Sequence, residues 1–315
     1  MTVVRRALTL FASLALSLAL AAPATAAASK QSVPPWACSP EDIAAAAASP
    51  SVAARGGVAD SHGRIREKDT GQIAKALPAG AKGRAPSNFA VTVPVWWHVI
   101  TDGAEGALTD TKIRDQIRVM NKAYSGGAGG ASTGFSFTLA GVTRTDDSVW
   151  YRLQGAGAEH EMKKALKRGD DGTLNVYSGL AGGYIGYAYL PEITDTAQAY
   201  LDGIVIDWRA LPFVSDFYGG GYANEGDTLV HEAGHWLNLE HTFYGQCNKN
   251  GDFVDDTPPQ KWASSGCPVG NDTCPAPGLD PIRNYMDYSD DSCMFEFTPG
   301  QAQRMRDAWL FWRAT

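Results

Sequence analysis

The segment Val230-His-Glu-Ala-Gly-His-Trp-Leu-Asn-Leu-Glu-His-Thr-Phe243 holds three of the chain's 6 histidines. His231 and His235 are four apart, so on a helix both imidazoles leave the same face and can share one metal ion. Glu232 stands beside that face, where its carboxylate can take a proton from a water at the metal. His241 does not fit the same helix, because six residues at roughly 100° each carry it well off the shared face. The helix must therefore stop before His241 and the chain must turn back. Asn238 stands where that turn is needed; after glycine, it is the residue that best tolerates a left-handed backbone. Three His ligands with one position left to water form a catalytic zinc site rather than a closed structural one. A helix that merely carries surface histidines is the alternative, and the clustering argues against it.

These residues need a frame. Ala90 to Ile100 is β-branched and aromatic enough for a strand, and His98 within it reads as a packing residue. A helix follows, capped by Thr109 or Asp110, with Ile113, Ile117, Met120 and Tyr124 at spacings of four, three and four. Gly126 to Gly134 reads as a turn. Further strands are expected at Phe135–Leu139, Val149–Leu153, Leu174–Tyr177, Tyr184–Leu190 and Gly203–Asp207. Strands around one early helix predict an α/β domain with a mixed sheet. An apolar fraction of 44% supports a packed core. A net charge of −7 with no basic stripe argues against a nucleic-acid partner.

The N-terminus reads as an export signal. Arg5 and Arg6 precede an apolar run, Ala7 to Ala22, then Pro23 and a small-residue stretch ending at Ala28. That run is shorter than a bilayer span needs, and no later stretch suffices. The expectation is a removed signal peptide (1–28) and a secreted, extracellular protein with no membrane contact in its mature form. Residues 29–86 are rich in Ala, Gly, Ser and Pro, with almost no aromatic residue after Trp36. They read as a pro-segment, the alternative being a flexible linker; Arg64, Arg66 and Arg84 are candidate maturation points. Short helices are conceivable at Glu41–Ala48 and Thr70–Ala76. Cysteine usage fits an oxidising compartment: Cys247, Cys267, Cys274 and Cys293 cluster late, and their spacing leaves three pairings open. Cys38 stands alone upstream as a candidate latency switch whose thiolate would occupy the open zinc position, although Ala37-Cys-Ser-Pro40 matches no strong switch motif. The segment Asp252, Asp255, Asp256 and Thr257 offers hard oxygen donors suited to calcium, with an acidic, solvated turn as the alternative.

The extended pattern His231-Glu-x-x-His235 to His241 resembles that of the metzincin zinc peptidases, with Asn238 where those proteins carry glycine. Asn284-Tyr-Met-Asp-Tyr-Ser-Asp-Asp291 resembles their Met-turn, which makes Met286 the floor of the metal site rather than ordinary core filler. Together with Gly251-Asp-Phe-Val-Asp-Asp-Thr-Pro258 and Met286 through Met294, these motifs resemble the pappalysin family in its small microbial, secreted members, over most of residues 88–315. The resemblance implies a mixed five-stranded sheet, an active-site helix and an irregular C-terminal subdomain ending in a helix. The catalytic domain would then span 87–315, divided at about 241. It also implies an endopeptidase acting on protein and peptide substrates, with Glu232 as base and then acid, and Tyr288 hydrogen-bonding the tetrahedral intermediate. Tyr184, Gly186, Tyr187 and Ala188 would form the edge strand above the cleft, and Met294 and Phe295 would contribute to an apolar pocket. It further implies pairing of Cys247 with Cys274 and Cys267 with Cys293, calcium near the acidic loop, and inhibition by the chain's own pro-segment. Two rival functions stay open at this level: a zinc amidase or deacylase on non-protein substrates, and a non-catalytic secreted binding protein.

Overall fold

A computed structural model describes residues 68, 70, 72, 75–218, 221–248 and 251–314. The signal peptide, Cys38 and the expected helix at Glu41–Ala48 lie outside them. The first regular element is strand β1, Val91–Thr101, a run of alternating apolar residues. Helix α1, Asp110–Tyr124, follows; the Thr109 side chain caps it by accepting from Lys112 N. Its buried stripe is Ile113, Ile117, Met120 and Tyr124, which is the face that the four-three-four spacing predicts.

Strand β2, Phe135–Asp146, pairs parallel to β1 over its whole length and runs seven residues past the expected end at Leu139. The apolar signal fades there because the outer strand is only partly covered. Residues Val149–Leu153, expected as a strand, belong instead to a helical turn, α2, Ser148–Arg152. Asp147 Oδ1 accepts from Val149 N and Trp150 N, and Leu153 closes the turn in the left-handed region at φ 49°. Helix α3, Ala158–Leu166, had no sequence signal strong enough to predict it; its inward face includes Lys163, which breaks the apolar stripe.

Strand β3, Leu174–Gly179, continues the sheet. The expected strand Tyr184–Leu190 shrinks to β4, Gly186–Ala188, and Gly203–Asp207 becomes β5, Ile204–Asp207. The order is β2-β1-β3-β5-β4, parallel except for antiparallel β4 at the edge. One face of the sheet buries Val93, Val95 and Trp97 against α1 and against helix α4, Asp227–Trp236. The other face buries Tyr177, Tyr187 and Val205 against α2 and α3. After α4 the chain is irregular until helix α5, Pro299–Ala308, which opens with a capping box between Thr298 and Gln301. Described residues of the expected Thr70–Ala76 helix are not helical.

His98 is buried, bonded to Thr143 Oγ1 at 2.7 Å and Asn175 Oδ1 at 2.9 Å, and stacked on Tyr177. Burial pushes its pKa down to about 4, as suits a packing residue kept neutral.

Candidate active site and metal centre

Helix α4 is buried along its whole length. The Tyr124 hydroxyl of α1 ties to its Val230 carbonyl at 3.0 Å. At its far end Leu237 N still reaches Ala233 O, and then Asn238 takes φ +75°. Leu239 N folds back onto Gly234 O at 2.9 Å, a six-to-one closure around a left-handed residue. Asn238 is held twice: Arg304 of α5 donates to its carbonyl at 2.7 Å, and its amide donates to Glu192 at 3.2 Å. This reversal brings His241 back over the helix.

The three imidazoles converge. His235 Nε2 lies 3.1 Å from both His231 Nε2 and His241 Nε2. His231 Nδ1 is 2.5 Å from Tyr285 O and His235 Nδ1 is 2.7 Å from Leu239 O. A carbonyl only accepts, so each Nδ1 carries the proton and each Nε2 turns a lone pair inwards. Lone pairs facing one another at that distance are a donor set for a cation. Tetrahedral ligands roughly 2.1 Å from a shared zinc stand about 3.4 Å apart, close to the spacing here. Among the described residues, these three form the group of His, Cys, Asp or Glu side chains near enough to hold one ion.

The floor is Met286, fully buried beneath α4. A Cβ on Gly234 would collide with its sulfur, so the second variable position of His-Glu-x-x-His must be glycine. Sequence reading passed over that residue; the Met-turn resemblance could have flagged it. At Gly186, already expected in the edge strand, a Cβ would come 3.0 Å from Glu232 Oε1, so glycine lets β4 pass close over the glutamate without displacing its side chain. The Tyr288 ring stands 4.8 Å from His241 and 5.7 Å from His231 between centroids. Thr242 N donates to Met286 O at 3.1 Å, which stitches the two chain segments together below the imidazoles.

Ala188, Leu190, His235, His241, Tyr244 and Tyr288 line the cleft, and so do Lys68, Thr70 and Gln72. Lys68 N donates to Gly186 O at 3.2 Å. Gln72 Nε2 donates to Leu190 O at 3.2 Å, and Leu190 N donates to Gln72 Oε1 at 2.5 Å. The Lys68 ammonium crosses the Tyr187 ring to reach Glu159 at 3.0 Å. Met294 joins the main core, and the part-exposed Phe295 lies against Gly129.

Two disulfides, Cys247–Cys274 and Cys267–Cys293, cross-link the irregular region. Buried carboxylates organise the rest of it, and sequence reading missed them. Asp287 accepts from Ser264 N, Gln260 Nε2 and Tyr288 N. Asp291 Oδ2 accepts from Glu225 N, Gly226 N and Asp227 N, capping α4 from outside it. In the acidic loop, Asp252 and Thr257 are buried, Asp252 Oδ1 accepts from Val254 N at 3.1 Å, and burial pushes the Asp252 carboxyl up to about 7. Asp255 is exposed, while Asp256 accepts from Thr298 Oγ1 and Gly300 N at the start of α5. The four expected donors thus do not converge.

A mixed sheet, a short helix bearing two of three converging histidines and a methionine floor define a metallopeptidase of the metzincin class. Residues 213–309 match the family model described as pregnancy-associated plasma protein-A. An extracellular metalloprotease of Pyricularia oryzae is 45% identical over 250 residues, covering 77% of this chain and 83% of that protein. Extracellular metalloprotease 1 of Coccidioides posadasii is 42% identical over 230 residues, 71% of this chain and 79% of that one. Mature mirolysin of Tannerella forsythia in complex with a cleaved peptide superposes with a TM-score of 0.58 at 28% identity, covering 69% and 90% of the two chains. The promirolysin mutant E225A gives 0.60 at 26% identity, over 71% and 81%. The chain belongs to the pappalysin family of metallopeptidases.

Proposed function

We propose that this chain is a secreted zinc endopeptidase with Glu232 as general base and His231, His235 and His241 as the metal ligands. The observation that carries the reading is the convergence of three Nε2 atoms, two of them fixed as acceptors by carbonyls behind the rings. Zinc in that position supplies Lewis acidity for the scissile carbonyl and lowers the pKa of water. Glu232 follows His231 on α4, takes the proton of the attacking water and returns it to the leaving amine. Tyr288, stacked edge-on to His241, donates its hydroxyl to the developing oxyanion.

Strand β4 is antiparallel and is the edge strand of the sheet, so an extended substrate gains main-chain hydrogen bonds along it without sequence preference. Lys68 and Gln72 already use that edge, which supports residues 29–86 as an inhibitory pro-segment ahead of a catalytic domain from about 87; promirolysin, to which the chain is similar, is itself a pro-form. A calcium ion in the acidic loop would draw on the buried Asp252 and Thr257 alone, since Asp255 is exposed and Asp256 is engaged at the start of α5. Export rests on the leader sequence and on the extracellular relatives.

The test is Glu232→Ala in the matured protein. Hydrolysis of a denatured protein should fall by about 10²–10⁴-fold, with one zinc per chain still present by elemental analysis. Unchanged proteolysis would sink the mechanism. Turnover of acylated small molecules with no cleavage of denatured protein would point to an amidase instead.

A further inference from the structure

Residues ahead of β1 are gripped by α5 at a second place, far along the chain from Lys68 and Gln72. Asp307 is 1% exposed, yet both of its carboxylate oxygens face the N-terminal segment: Oδ2 accepts from Gly83 N at 2.6 Å and Oδ1 from Ala85 N at 2.8 Å. Gln303 adds one neutral donor to Oδ1 at 3.0 Å. No cation pairs with this carboxylate among the described residues. The charged groups near it are committed elsewhere. Arg304 serves the Asn238 and Lys75 carbonyls, Arg306 serves Ser132 and Thr133, Lys82 faces Asp255, and Asp256 caps α5. A buried carboxylate held by neutral donors alone is a good seat for a positive charge.

The residues just before the two bonded amides are Lys82 and Arg84. Both are exposed, in a turn whose Gly83 has φ +74°, the accessible, irregular setting in which nicking concentrates. Hydrolysis of the Lys82–Gly83 or the Arg84–Ala85 bond leaves the new carboxylate on the released segment and an α-ammonium on Gly83 or Ala85. Either ammonium is born within 2.8 Å of an Asp307 oxygen.

We propose that maturation is a cut after Lys82 or Arg84, made by a protease selective for basic residues, and that Asp307 binds the α-ammonium so formed. Helix α5 then carries the mature N-terminus on Asp307 while its Arg304 holds the Asn238 carbonyl of the metal loop. Processing thereby converts a neutral clamp into an ion pair on the helix that braces the site.

This rests on the pro-segment reading. The experiment begins with the N-terminal sequence of the secreted, active protein, expected to start at Gly83 or Ala85; the Lys82→Gln/Arg84→Gln double variant should stay uncut. Acylation of the α-amine at pH 8 is then compared between wild type and Asp307→Asn, which keeps an oxygen acceptor but no charge. The wild-type amine should react about tenfold more slowly, since one unit of raised pKa is a factor of ten. A raised ammonium pKa stabilises the folded state below about pH 8, and that gain is lost as pH rises through the folded value. The melting temperature of the mature wild type should accordingly fall between pH 8 and 10 more than that of the uncut chain. If Asp307→Asn does not fold, the wild-type comparison of cut and uncut chains decides alone. A start at any other residue, or matching pH profiles for cut and uncut chains, overturns the inference. A full-length chain that is already fully active overturns the pro-segment reading as well.

Discussion

Above the cleft, His231 and His235 stand on α4, which lies against a five-stranded sheet in a continuous apolar core. Below it, Met286 and Tyr288 stand in a stretch between Trp236 and Pro299 whose described residues form no strand or helix, and there a bridge pairs Asn284 with Glu296. The upper half is held by non-directional burial and a backbone ladder, both of which tolerate modest substitution. The lower half is held by two cross-links and by the carboxylates of Asp287 and Asp291, each accepting three donors. Directional contacts fix a shape without regular structure, but each one is close to indispensable because its loss strands buried polar groups.

That contrast can be broken where it is sharpest. Replacing Cys267 and Cys293 by serine should cost about 3–4 kcal/mol, the scale for a loop of this size. In chemical denaturation the region around Tyr288 should open first, with metal released before the sheet unfolds; a single concerted transition would argue that the halves are not separable. Gly234→Ala crosses the boundary between the halves, driving a methyl into the Met286 sulfur. A loss of about 1–3 kcal/mol is expected, the scale of overpacking, together with weaker zinc retention against a chelator.

The upper half has its own sensitive point in His98. Its pKa is depressed, so the unfolded chain binds the extra proton between about pH 6.5 and 4. Stability is therefore complete above about 6.5 and declines on acidification through that window by at most about 1.4 kcal/mol per pH unit. His98→Gln should flatten that part of the melting-temperature profile. The smallest effect is expected at the turn. Asn238→Ala keeps φ +75° without the Glu192 bond and should lose about 1 kcal/mol, whereas Asn238→Gly should be nearly neutral.

What could be read in the chain follows the same division. Helix α1 was legible because one stripe, Ile113 to Tyr124, faces one core and Thr109 caps it. The three histidines were legible because their spacing is itself the geometry. The strand expected at Val149–Leu153 is overridden locally, because a single Asp147 carboxylate captures two amides and starts a helical turn. In α3 the buried Lys163, paired with Glu159 at 3.0 Å, masks the inward stripe. Asp287 and Asp291 could not be found from spacing, because their donors, the adjacent Tyr288 N apart, lie far away in sequence.

Gln72 meets the main chain of Leu190 through its side-chain amide. The main-chain N–H and C=O of Leu190 are satisfied there by an amide that belongs to a side chain. Hydrolysis of such an amide would release ammonia and leave a glutamate, with the polypeptide still in one piece. The segment therefore meets the edge of the sheet through a decoy for the peptide group, one whose scission shortens nothing.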